Sequence, residues 1–391
     1  MKSILITFCD SQNLGDLLIV ESLEKMIEKK SELSTLSFDL KDKDMKHQEK
    51  LRIKNDSEIS IVKSLYLKYL RKFILFDLFH FIKYKINIKK YNWNNLEKKL
   101  RDTDLLIIGG GNTIFGTTHF MSSTDKILEI VKFAKSKGVK VFICSAGIGP
   151  FKSKRQLKKL REILIYVDYV TVRDRNSLNY VKELNSKSFL TLDPVISFEL
   201  FKDTYTTKYI GISIMDIRLN KMSQNQYKEY IKNMTYLIKC LSIELPDYKF
   251  KLFSTDINDY QAVYEVFKQI KDINAEVVEV ENINDLQKLY ETLEIVIGAR
   301  MHSLILAFSQ YIPIIGFSWQ PKVDGFFEMI NQRDSVFNLL TLDLNFEKII
   351  DLVLFKINNL EECIEKNIDE HGTIEKMNAI NQEIIEEVFY E

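Results

Sequence analysis

The chain has 391 residues, 46% of them hydrophobic and 28% charged, which excludes wholesale disorder and suits two domains better than one core. Lys plus Arg number 55 and Asp plus Glu number 55, so no global field draws the protein to nucleic acid. Four cysteines, Cys9, Cys144, Cys240 and Cys363, lie far apart with no C-x-x-C pair. That usage fits reduced thiols in a cytoplasmic protein, not a disulfide scaffold or a zinc knuckle.

The N-terminus offers one short apolar run, residues 4–8, too short for the apolar region of a signal peptide. β-Branched runs then alternate with amphipathic ones, the pattern of βαβ units and parallel sheets. In the first half the expected strands are 4–9, 36–40, 105–108, 139–145, 169–172 and 188–192, with helices at 17–28, 126–136 and 154–166. The second half restarts the pattern, with strands at 209–215, 249–253, 275–280, 295–298 and 312–317. Helices there are expected at 226–243, 260–270, 283–293 and 304–309, and the chain reads as helical after 345.

The expected fold is therefore α/β, with two Rossmann-like domains at 1–203 and 204–345 and C-terminal helices at 346–391 packing back across the domains. Ligands of such folds sit at the carboxyl ends of the strands, here in the cleft between the modules. Stretches 105–124 and 301–321 lack charge, but glycine, threonine, histidine and proline interrupt them, so no membrane-spanning helix is expected.

Residues 42–101 interrupt the first module, and ten Lys or Arg stand against two acids between residues 61 and 100. Its centre, 62–88, mixes Leu, Ile, Phe and Tyr with Lys63, Lys68, Arg71, Lys72, Lys83 and Lys85. Two readings stand: the aromatics pack on the sheet beneath a solvated lysine face, or a basic amphipathic helix touches a membrane surface. The tail from 361 carries ten acids against two lysines.

The chemistry-bearing residues collect at predicted strand ends. Arg300 and His302 follow the strand ending at Gly298 and precede an apolar helix, with Ser303 as its expected N-cap. A guanidinium, an imidazole and helix N-terminal amides suit an anionic substrate that needs a proton moved. Lys322 follows the next strand, either as a phosphate clamp or as an ordinary helix-start lysine. Arg173 and Asp174 follow the strand 169–172, where a surface ion pair is the plainer reading. Glycine-bearing turns recur at Asn13-Leu14-Gly15-Asp16, Gly109-Gly110-Gly111-Asn112 and Gly147-Ile148-Gly149-Pro150. Such turns let a backbone approach a ligand closely. None matches a dinucleotide fingerprint or a P-loop, and no metal-ligand spacing occurs.

In order along residues 1–330, these motifs resemble the polysaccharide pyruvyl transferase family. The series comprises Asn13-Leu14-Gly15-Asp16, the 105–112 strand with its glycines, Gly147-Ile148-Gly149-Pro150, Val172-Arg173-Asp174, Leu192-Asp193-Pro194, Gly298-Ala299-Arg300-Met301-His302, and Pro313 through Lys322. The resemblance implies a GT-B-like fold and transfer of the pyruvyl group of phosphoenolpyruvate to a sugar as a cyclic ketal, with phosphate released and neither cofactor nor metal. It makes Arg300, His302 and Arg173 catalytic. Ser303, Lys322, Gly298 and Asp174 are expected near the donor, and Asn13, Gly15, Asp16, Gly110, Gly111, Asn112, Gly149 and Pro150 in the acceptor or cleft loops. His302 is the candidate acid for C3 of the donor or the base for the hydroxyl. The partners expected are phosphoenolpyruvate and a saccharide of a cell-surface polysaccharide or its precursor. The alternatives are a GT-B nucleotide-sugar glycosyltransferase, which would need a ribose-binding carboxylate that the second module does not convincingly offer although Asp256 and Glu281 stand at possible strand ends, and a non-catalytic carbohydrate or membrane-docking protein.

Overall fold

Runs such as Leu105–Gly109 are buried at every position, which requires a sheet covered on both faces and therefore a parallel one with helical crossovers. The computed structural model of the protein describes residues 1–43, 74–185, 187–198, 207–220 and 222–390. These form two compact units: Met1–Ser11 with Ile19–Pro194 and Met377–Glu391, and Gln12–Leu18 with Val195–Lys376.

The first unit is built on strands β1 (Lys2–Thr7), β2 (Glu32–Ser37), β3 (Leu105–Gly109), β4 (Asn112–Ile114), β5 (Lys140–Ile148), β6 (Tyr169–Val172) and β7 (Ser188–Leu190). Among the described residues they pair in parallel in the order β2-β1-β3-β5-β6-β7, with β4 added on β5. Ile4 pairs with Leu106, and Gly109 with Cys144. Helices Thr124–Ser136 and Lys154–Ile165 supply Ile127, Ile130, Val131, Leu160 and Ile163 to the core against Ile4, Leu106 and Ile143.

The second unit carries β8 (Tyr209–Ser213), β9 (Lys249–Phe253), β10 (Ala275–Val277), β11 (Ile295–Gly298), β12 (Ile314–Ser318) and β13 (Val336–Asn338). The order is β10-β9-β8-β11-β12-β13, again parallel among the described residues. Its long helix Gln224–Glu244 begins with a full capping box, Ser223 and Gln226 satisfying each other's backbone N–H. It buries Tyr227, Met234, Leu237 and Leu241 against Ile210, Ile212 and Phe250.

Two strands lie outside the sequence expectation. β4 and β13 are three residues each, too short to show a period. β2 lies earlier than expected: its start pairs Glu32 with Lys2, and it ends at Ser37 because the chain turns at Leu40 with φ +61°. The units divide at Pro194/Val195, ahead of the expected 203/204 boundary. The C-terminal helices divide as well. His371 Nε2 meets the Ile196 carbonyl oxygen at 2.8 Å in the second unit. Asn381 belongs to the first, accepting from Thr171 Oγ1 (2.6 Å) and donating to Ser145 Oγ (2.9 Å).

Of the basic insertion, residues 44–73 lie outside the described ones, including 62–73 of the stretch expected at a membrane surface. The rest forms helices Ile74–Ile88 and Trp93–Leu100. Asp77 is buried, accepting from Thr118 Oγ1 and from Phe120 N. Lys85 reaches Asp125 (3.2 Å), which also binds Arg155 (2.8 Å) and Lys159 (2.6 Å). Among the described residues no helix is long and apolar enough to cross a membrane.

Candidate functional site

In the second unit the site grows from the end of β11. A Cβ on Gly298 would stand 2.6 Å from Ser213 Cβ and overlap the Ser213 carbonyl oxygen. This glycine therefore packs β11 against β8, and its placement near a donor rests on the resemblance alone. Arg300 follows in extended conformation (φ −79°, ψ 116°) and Met301–Ser309 becomes helical. The guanidinium is met from the loop after β9. Asp259 accepts from Nε and Nη2, both at 2.6 Å, and Asp256 lies 3.2 Å from Nη2. Asp259 is wholly buried and also accepts from Ser254 Oγ (2.6 Å) and Asp216 N (2.8 Å). Burial pulls Arg300 downward, but the Asp259 hydrogen bonds and charge outweigh it and raise the guanidinium's pKa. Burial dominates for Asp259, whose carboxyl stands above the usual range despite Arg300. Arg300 is thus a neutralised, braced cation, not the open clamp that strand-end placement suggested.

His302 occupies the first turn of the helix Met301–Ser309 and is partly buried, with its Nε2 out of contact with solvent. Against it lies Gly15. A Cβ there would overlap Nδ1 and Cγ of the imidazole and stand 2.6 Å from His302 Cβ. The turn carrying Gly15 is tied to the β9 loop: Leu14 N donates to Thr255 O (2.9 Å), and Asn13 forms an antiparallel bridge with Asp256. Asn13 Oδ1 accepts from Gly15 N at 2.8 Å, and its carbonyl accepts from Asp16 N at 3.1 Å. The Asn-x-Gly-Asp turn is thereby an Asx-turn opening the helix Leu14–Glu28. The structure brings together Asn13, Gly15, Asp16, Asp256, Asp259, Arg300 and His302.

Ser303 is not the N-cap. The helix starts two residues earlier, so Ser303 lies inside it, buried, with Oγ on Ser213 Oγ (2.8 Å) and its carbonyl accepting from Tyr290 OH (2.8 Å). Arg300 holds the N-cap position and makes no side-chain capping bond. Lys322 is the second residue of the helix Pro321–Met329, half-buried beyond β12. Trp319, just before it, donates to the Ala299 carbonyl at 3.1 Å. Glu281 is exposed, its N–H given to Asp285.

The first unit gathers a second set at the ends of β3, β5 and β6. Gly110 and Gly111 take φ +75° and +65°, which glycine adopts at no steric cost. Gly147 N donates to Gly111 O (2.7 Å). A Cβ on Gly147 would lie 3.0 Å from Asn112 Oδ1 and 3.2 Å from Arg173 Nε. Gly149, at φ +87°, packs on the Tyr180 ring, and the Pro150 carbonyl accepts from Gly116 N at 2.9 Å. Arg173 is buried and ion-paired with buried Asp193. Asp174 is no partner to that arginine. Its oxygens accept from Ser177 N (2.8 Å) and Ser177 Oγ (2.7 Å), capping the helix Arg175–Val181.

Asp193 and Asp259 went unassigned in the sequence. Asp193 had a local sign, the Asp-Pro step after a strand. Asp259 had none, since its partner is distant along the chain. Among the described residues no group of three or more His, Cys, Asp or Glu could hold a metal ion.

The family model for polysaccharide pyruvyl transferase matches residues 13–321, a span from the Asn13 turn through Arg300 and His302 to the start of the last site helix. The chain belongs to the polysaccharide pyruvyl transferase family. No curated protein matches it in sequence. In structure it resembles the UDP-GlcNAc 2-epimerase of Neisseria meningitidis bound to UDP-GlcNAc, with TM-score 0.58 and 14% identity over 100% of both chains. It also resembles S. aureus MnaA bound to UDP, with TM-score 0.53 and 11% identity over 94% of this chain and 90% of that one. A third likeness is to UDP-GlcNAc 2-epimerase from Methanocaldococcus jannaschii, with TM-score 0.52 and 13% identity over 90% and 92%. These likenesses establish the GT-B-like fold of this pyruvyl transferase family member and nothing of its substrate.

Proposed function

We propose that the protein transfers the pyruvyl group of phosphoenolpyruvate to two hydroxyls of a saccharide in a cell-surface polysaccharide or its precursor, closing a cyclic ketal and releasing phosphate. The observation that carries this reading is His302 in the first turn of Met301–Ser309, beside an arginine already neutralised by Asp256 and Asp259. In this reading the imidazole is the proton-transferring group, and it belongs to a helix N-terminus with no side-chain cap, where backbone N–H groups and the dipole favour an anion.

In this proposal those amides and Lys322 hold the doubly charged donor, while Arg300 is a positioning residue that fixes the turn. Protonated His302 gives its proton to C3 of the enol ester as a sugar oxygen bonds to C2, and it takes the proton that the hydroxyl releases. The C2–O bond to phosphate then breaks, the second hydroxyl adds to C2, and its proton leaves with phosphate. The imidazole ends as it began, and every atom is accounted for by donor and acceptor.

The test is phosphate release from phosphoenolpyruvate in the presence of saccharide acceptors. His302→Ala is expected to lose turnover by roughly 10²–10⁴-fold, and full turnover in that variant would end the assignment. Calorimetry against phosphoenolpyruvate and nucleotide sugars separates the glycosyltransferase alternative: binding of a nucleotide sugar alone would replace this proposal.

A further inference from the structure

The helix Ile74–Ile88 presents an apolar row to solvent. Leu78 is 38% exposed, Phe79 63%, Ile82 51% and Ile86 51%. Spacings of three and four residues put these on one helical stripe. Large apolar side chains on a surface rarely line up in this way without a partner. The charges beside them share one sign: Lys83, Lys89 and Lys90 are exposed on the same segment, and its acid, Asp77, is buried on Thr118 and Phe120. Next to the row runs a groove of about 380 Å³, lined by Phe81, Ile82, Ile86, Ile88 and Trp93, with Lys89 among its lining and Glu129 contributing one acid.

We propose that this face docks the protein on an anionic phospholipid bilayer. The apolar row enters the boundary between headgroups and acyl chains, and Lys83, Lys89 and Lys90 sit at the level of the lipid phosphates. Charge decides between this occupant and a second copy of the chain. Two copies packed on this stripe would bring the same three lysines together, whereas a negatively charged surface pairs with all of them. The proposal is independent of the catalytic reading, since it uses no residue of the His302 turn.

The experiment is flotation of the full chain with vesicles of phosphatidylcholine alone and of phosphatidylcholine mixed with phosphatidylglycerol. The protein is expected to float with the mixed vesicles and to be released by salt. Lys83→Glu and Lys89→Glu should each weaken binding by about fivefold or more, as one lysine near such a surface contributes that factor. Phe79→Ser with Ile82→Ser should abolish what the salt leaves. All these positions are exposed, so an unchanged circular dichroism melt confirms folding of each variant. Absence of flotation, binding that the substitutions leave unchanged, or a dimer dissolved by the same substitutions without vesicle binding would each overturn the proposal.

Discussion

Gly15 and His302 touch across almost the whole family match: the imidazole lies where the side chain of any other residue at 15 would be. The missing Cβ is what lets the N-terminal turn close over the ring, while the Asn13 side chain and the bridge to Asp256 hold that turn in place.

Gly15→Ala should therefore act on activity far more than on folding. The added methyl displaces either the ring or the turn, and a misplacement of about 1 Å costs roughly 10² in rate. The comparison is turnover of donor against the thermal melt of wild type and variant. An alanine variant with unchanged turnover would mean that the imidazole is not held by this contact.

Asp259→Ala leaves the Arg300 guanidinium without its two-point partner in a buried place. Removing one member of such a pair typically destabilises by about 3–5 kcal/mol. Chemical unfolding is expected to show a loss of that order, whereas Asp247→Ala, whose contact with Lys208 is exposed, should change little. Equal effects of the two substitutions would contradict the bracing role.

The Asp125 cluster sets a pH dependence. Burial alone would raise this carboxyl, but Lys159, Arg155 and Lys85 together hold it below the usual value. A carboxylate with a depressed folded pKa stabilises the protein above its unfolded pKa, about 3.9, and loses that contribution as pH falls through the folded pKa. Asp125→Asn is accordingly expected to be less stable than wild type at neutral pH, with the gap narrowing in strong acid. A gap that stays constant to the acid limit would rule out this origin.

Thiol reactivity should follow burial. Desolvation pushes Cys9 and Cys144 up to about 12, so their thiolates are scarce at neutral pH. Iodoacetamide is expected to label half-exposed Cys240 first in the native protein, and Cys9 and Cys144 after denaturation. Mass spectrometry that finds Cys144 alkylated in the folded chain would show that this part of the core opens.

Strand ends were the most legible feature of the sequence. Tyr169–Val172, Lys249–Phe253 and Ile295–Gly298 fall at the expected positions, since short β-branched runs, or in Lys249–Phe253 an alternation of lysine with apolar residues, have few other ways to be buried. That made Arg173, Arg300 and His302 readable as residues beyond carboxyl edges. The partners of the arginines were not readable. Asp259 meets Arg300 from the loop after β9, and Asp193 meets Arg173 from the loop after β7, and neither pairing leaves a local period or spacing. Ser303 and Asp174 show the converse: a residue type suited to ligand or cap is assigned by where the helix actually starts, which moved one into the helix and made the other its cap.

By itself, then, the order of residues determined the two parallel sheets, the turns that follow them and the family, because hydrophobic period and glycine placement act over a few residues. Tertiary structure alone decided which charges are already spent on one another and that a glycine near the start of the chain receives the imidazole of His302. Both depend on approach in space between segments far apart along the chain, where packing and desolvation, not local propensity, set the outcome.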